Sequence, residues 1–307
     1  MKIVFISGVK FGYELLSHIL EKGWKISALF TYSDAKSKFY SDFSSFDDLS
    51  QKYKIQHVKV NNINDNENVE LLRKINPDII LVMGWSQLLH ENLLSIPRIG
   101  IIGSHPTELP KYRGRAPIPW SIIKNLQESA LTFFWIELGT DNGSILDQEK
   151  FLITDKDDAT SLYEKITTIG KKMLIKNLNL IKNGKIIRRK QDESKFIEYW
   201  EKRVPEDGKI DWTKSCREIH TLIRASTYPY PGAFTFFKRT KLKIWKAIFL
   251  DIESHEPGKI LEVNDDDVKT GTGNGIILLK LVSWKDKEKI SASKLFSQQD
   301  KGEILGD

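Results

Sequence analysis

His105 stands in a proline-punctuated run, GSHPTELP at residues 103–110, directly after an apolar strand-like stretch, and Asp141 precedes a glycine in a second loop at residues 137–146. An imidazole that handles protons needs a neighbour to set its tautomer and stabilise its charged form, and a loop carboxylate does both. These two residues are the candidate catalytic centre. The other histidines, His18, His57, His90, His220 and His255, show no ligand spacing and read as surface or capping residues. Cys216 is the only cysteine, so no internal disulfide can form and a thiolate metal cluster lacks its ligands. No metal is expected.

The elements that must carry this pair read as an α/β fold. Residues 2–7 alternate into a strand, a glycine turn leads to a helix with Leu15, Leu16, Ile19 and Leu20 at helical spacing, and residues 25–30 form a second strand. That opening belongs to a Rossmann-like, doubly wound parallel sheet, whose ligands sit beyond the carboxyl ends of the strands. The continuous apolar run at 79–83 reads as a central strand ending at Trp85 and Gln87, and the strand at 99–102 delivers His105 to the same edge. Further strands are expected at 130–138 and 144–153, and a long amphipathic helix at 159–181. Composition shifts in the basic segment KNGKIIRRK, so the expected division is a catalytic domain at 1–204 and a small β-rich domain, an OB-like barrel of short strands, at 205–307. The GTGNG run at 271–275 reads as a hairpin turn, and Cys216 as a packing residue.

The chain has 307 residues, 40% of them hydrophobic, and a net charge of +6 from 47 basic and 41 acidic side chains spread along it. This suits a soluble enzyme that prefers anionic ligands, and it is too dispersed to argue nucleic-acid binding. No run is long enough to cross a bilayer and the opening lacks the pattern of a secretory signal, so the expected location is cytoplasmic.

With these motifs in hand, the sequence resembles the folate-dependent formyltransferases, the family that includes methionyl-tRNA formyltransferase and the N-formyltransferases of nucleotide-linked amino sugars. The resemblance rests on His105 in its loop, on KYRGRAP after it, on Asp141-Asn142-Gly143, and on the segments IDW, PYPGAF and KGEILG. It implies direct transfer of a formyl group from N10-formyltetrahydrofolate, as co-substrate, to an amine, with neither metal nor covalent enzyme intermediate. It also implies a folate site at Trp85, Gln87, Leu88, Thr140 and Asp141. The expected acceptor contacts are Arg113, Arg115, Tyr199, Lys202, Arg203, Arg224 and Tyr228.

Where the family usually places an asparagine that donates to the developing oxyanion, this chain has Gly103, and Pro106, Thr107 and Glu108 alter the same loop. Two readings stay open: another donor replaces the asparagine, or the protein is a folate-binding relative without turnover. The loop at 31–50 sets Lys36 and Lys38 against Asp34, Asp42, Asp47 and Asp48, which disfavours a tRNA acceptor. The expected acceptor is therefore a nucleotide-linked amino sugar, extended to a 4-amino-4,6-dideoxy sugar of a pseudaminic acid or O-antigen pathway, with methionyl-tRNA as the alternative. A homodimer is an admissible assembly.

Overall fold

The computed structural model describes residues 1–37 and 39–306, so Lys38 of the polar loop lies outside the described residues. Two compact units emerge, Met1–Pro117 with Gln127–Ile153 and Tyr163–Glu201, and Ile118–Leu126 with Thr154–Leu162 and Lys202–Asp307. Where the sequence suggests one cut after residue 204, the chain thus lends two short earlier segments to its second unit.

In chain order the elements up to the cut are β1 (Ile3–Ser7), α1 (Lys10–Glu21), β2 (Ala28–Tyr32), α2 (Asp47–Tyr53), β3 (Gln56–Val60), α3 (Asn66–Ile75), β4 (Ile79–Val82), α4 (Glu91–Leu94), β5 (Gly100–His105), β6 (Tyr112–Gly114), α5 (Pro117–Ile123), β7 (Glu128–Trp135), β8 (Ile145–Leu152), α6 (Ala159–Lys182) and β9 (Glu198–Trp200). Every residue of β1, β2 and β4 is buried, as befits strands covered on both faces. The first unit's seven-stranded sheet has the order β3-β2-β1-β4-β5-β7-β8. Its first five strands are parallel, with the order reversing beside β1, and in open parallel sheets ligands sit beyond the carboxyl ends at such a reversal. The last two are antiparallel, β7 to β5 and β8 to β7, so the sheet is mixed. β7 leads into β8 through a loop too short for a crossover, and an antiparallel return is what such a loop allows. That loop carries Asp141. Val4, Ile6, Phe30, Ile80, Val82 and Ile101 form a core on one side of this sheet.

The second unit adds α7 (Cys216–Ser226), β10 (Ala233–Phe237), β11 (Thr240–Leu250), β12 (Ile260–Val263), β13 (Val268–Gly271), β14 (Ile276–Trp284), β15 (Ile290–Ser291) and α8 (Ala292–Leu295). Its sheet is antiparallel in the order β10-β11-β14-β13-β12, with β15 on β14. α7 starts with a reciprocal cap between Ser215 and Glu218 and buries Cys216, Ile219 and Ile223 in a core shared with Leu242, Ile244, Ile277 and Leu279. The glycines of GTGNG turn the chain from β13 into β14, with Gly271 opposite Ile276. No helix among the described residues is long and apolar enough to cross a membrane.

Candidate active site

β5 ends at His105, which is 5% exposed, and the chain then folds back through Thr107 to β6. The short strand β6 is held in place by parallel pairing with β9, Arg113 opposite Tyr199 and Gly114 opposite Trp200. Each of its three residues holds one part of the site. The Tyr112 carbonyl lies 3.1 Å from His105 Nε2 and also accepts from the Thr107 hydroxyl at 2.5 Å. A carbonyl can only accept, so Nε2 carries a hydrogen. Nδ1 is then the nitrogen turned toward Asp141, 3.7 Å from Oδ2. Gly114 donates its backbone N–H to the same Asp141 oxygen at 2.9 Å. The glycine is required there: its φ is +104° and a Cβ would stand 2.3 Å from the Trp200 carbonyl oxygen.

Asp141 itself is left-handed, with φ +52°, a conformation its short polar side chain tolerates. The side chains of His105 and Asp141 are only 6% and 19% exposed, so their attraction is little screened by water. An imidazole with one nitrogen tied to a carbonyl and the other facing a carboxylate is equipped to take up a proton at Nδ1 and to have the resulting charge stabilised.

Gly103 lies two residues before His105 on β5, paired with Val82 on β4 and Phe134 on β7. A Cβ there would come within 2.9 Å of Ile136 and 3.2 Å of Phe134, so this site has closed around the missing side chain. Gly103→Asn is accordingly expected to give no gain in turnover and to cost about 1–3 kcal/mol of stability through overpacking, checked by steady-state rates and thermal melting. A large gain in rate would contradict this.

Trp85 follows β4 and stacks on Tyr32 at 3.7 Å and 9°, with Tyr40 on the opposite face of Tyr32 at 4.3 Å. The Ser86 hydroxyl ties this three-ring stack to both tyrosine hydroxyls. The indole N–H of Trp85 is buried and has no acceptor among the described residues. Gln87 is spent on structure: its amide accepts from Ile63 N–H at 3.0 Å and donates to the Asn61 carbonyl at 2.7 Å. Leu88 is 63% exposed and Thr140 is partly exposed in the loop that carries Asp141.

The residues expected to meet an acceptor are scattered in character. Arg113 is 5% exposed on its side chain and forks onto Glu193 at 2.6 and 3.1 Å, so it braces the site from inside instead of facing a ligand. Arg115 and Tyr199 are exposed, the latter against Phe196. In the second unit Lys202 is exposed, Arg203 lies over Trp120 with its guanidinium donating to the Asp207 carbonyl, and burial pushes its pKa down. Arg224, whose pKa burial also lowers, donates to the Asp157 carbonyl at 2.6 Å, and Tyr228 is 46% exposed beneath Lys289.

Three residues at the centre of this arrangement escape a reading of the sequence: Tyr112 and Gly114, which act through backbone atoms, and Gln191, which directly follows the basic segment KNGKIIRRK. Gln191 donates to the carbonyls of both Asp141 and Gly143 at 2.7 Å.

Residues 1–178 match the family model described as formyl transferase, and residues 202–300 match the formyl transferase C-terminal domain. Over 265 residues, 86% of the chain, it is 36% identical to the bifunctional polymyxin resistance protein ArnA of Wigglesworthia glossinidia brevipalpis, and spans 40% of that protein's length. It is 32% identical over 314 residues to the methionyl-tRNA formyltransferase of Clostridium tetani, covering 99% of each chain. A solved N-formyltransferase of Helicobacter canadensis, in complex with folinic acid and dTDP-3-aminofucose, shares the fold with a TM-score of 0.66 at 21% identity, over 91% of this chain and 99% of that one.

Proposed function

This chain belongs to the formyl transferase family, and from that premise we propose that it carries a formyl group from N10-formyltetrahydrofolate to the amine of a nucleotide-linked amino sugar. The amine nitrogen attacks the formyl carbon and forms the new C–N bond. A proton leaves that nitrogen for His105 Nδ1, because Nε2 is already committed to the Tyr112 carbonyl. The Asp141 carboxylate steadies the imidazolium so formed. Collapse of the tetrahedral adduct then breaks the bond to folate N10, which takes a proton. The indole N–H of Trp85, buried at the end of β4 with no acceptor among the described residues, would be a donor for a pterin ring once that site opens to it.

The observation that carries the acceptor reading is an acidic clasp on the loop after β2. Asp34 and Asp47 both close on Lys59, at 3.0 and 2.9 Å, so this cation of β3 is already neutralised by its own chain. A polyphosphate backbone gains little from such a surface. The fold likeness to an enzyme solved with a dTDP-amino sugar supports the same direction. The end-to-end likeness to methionyl-tRNA formyltransferases favours the second reading, a tRNA acceptor. A 4-amino-4,6-dideoxy sugar is the specific acceptor proposed.

The test is to incubate the protein with N10-formyltetrahydrofolate and a panel of UDP-, dTDP- and GDP-linked 3-amino and 4-amino sugars beside charged initiator tRNA, and to follow mass gain. Formylated sugar is the expected product. Formylated tRNA with untouched sugars would reverse the choice of acceptor, and folate binding without any product would leave a non-catalytic relative.

A further inference from the structure

The charged groups behind Asp141 form a chain that the transfer itself does not use. Gln191 is 4% exposed, and its Nε2 grips the two carbonyls, of Asp141 and Gly143, that flank the Asp-x-Gly turn, each at 2.7 Å. An amide can point either way, and here one neighbour decides: Arg113 donates to Gln191 Oε1 at 2.8 Å, and a guanidinium has no acceptor to offer. The oxygen must face Arg113, so the NH2 must face the turn. Arg113 is in turn fixed by its fork onto both oxygens of Glu193 and by the Phe196 ring 5.4 Å away. Its strand neighbours Tyr112 and Gly114 hold His105 and the Asp141 carboxylate.

We propose that Gln191, oriented by Arg113, is a positioning residue that holds the left-handed turn at Asp141 so that its carboxylate stays directed at His105. The inference rests on the reading of His105 and Asp141 as the proton-handling pair. Gln191 touches neither imidazole nor substrate in this role; it sets where the carboxylate stands. Such a role acts on the transition state more than on binding, since a misplacement of about 1 Å can cost on the order of a hundredfold in rate.

The test uses the full chain with N10-formyltetrahydrofolate and the amine found to be its acceptor, comparing Gln191→Ala, Asp141→Asn and the double variant. Gln191→Ala is expected to lower kcat about 10- to 100-fold while both KM values stay within about twofold. In the Asp141→Asn background the same change is expected to cost almost nothing further, because the group it positions is gone. Arg113→Lys, which keeps the charge but not the fork, is expected to fall between wild type and Gln191→Ala. Wild-type kcat for Gln191→Ala, a parallel rise in KM, or additive losses in the double variant would each overturn the proposal. Full turnover by Asp141→Asn alone would instead remove the catalytic pair, a failure distinct from that of Gln191.

Discussion

His105→Asn is expected to abolish formyl transfer while the protein stays folded. Asparagine is too short to reach the Tyr112 carbonyl that His105 Nε2 contacts at 3.1 Å, but the Thr107 hydroxyl still donates to that carbonyl at 2.5 Å, so the loop keeps an anchor. It has no basic nitrogen to place opposite Asp141, and a proton released from the attacking amine has nowhere to go. Loss of a positioned proton acceptor typically removes about 10²–10⁴ in rate. The measurement is single-turnover formyl transfer at saturating folate, with thermal melting to confirm the fold. A variant that turns over within tenfold of wild type would show that His105 does not handle the proton.

The second large effect is steric and falls on Gly143→Ala. A Cβ at this position would lie 1.7 Å from the Trp135 carbonyl oxygen, in backbone that cannot yield. Trp135 belongs to β7 and donates its own N–H to the Ser144 carbonyl at 2.8 Å, so turn and strand are locked face to face. The turn must shift outward, and it takes with it the Asp141 and Gly143 carbonyls that Gln191 grips. Turnover should fall about a hundredfold or more, together with a lowered melting temperature. Near-normal kcat would mean that the carboxylate tolerates displacement, and the geometric account of the pair would fail.

Much of this architecture was legible in the residues alone. β1, β4 and β5 announce themselves as apolar runs, and the two loops that leave β5 and β7 hold the histidine and the aspartate where strand ends converge. The mixed character of the sheet was not legible, because an apolar strand looks alike whichever way it runs. Trp85 was expected at the folate site, yet its stacking partners Tyr32 and Tyr40 lie 53 and 45 residues earlier in the chain, and no local pattern reports such a stack. Arg113 is expected from the sequence to contact the acceptor, until Glu193 and Gln191 are seen to enclose it. Gln191 gave no signal at all, since a lone polar residue in a basic segment most often faces water. Thr107, one of the substitutions that sets this loop apart, turns out to be fully buried, sharing the Tyr112 carbonyl with the His105 imidazole.

The three-residue strand β6 has a bearing on how the site should be probed. Two of its three holds are made by main-chain atoms, the Tyr112 carbonyl and the Gly114 amide, which persist whatever side chain is installed. A scan by alanine would pass over Tyr112 as indifferent to chemistry, even though the orientation of the imidazole hangs on it. Transplanting the GSHPTELP loop into a relative would likewise carry the histidine but leave behind its cradle, so the smallest portable piece runs on through Gly114.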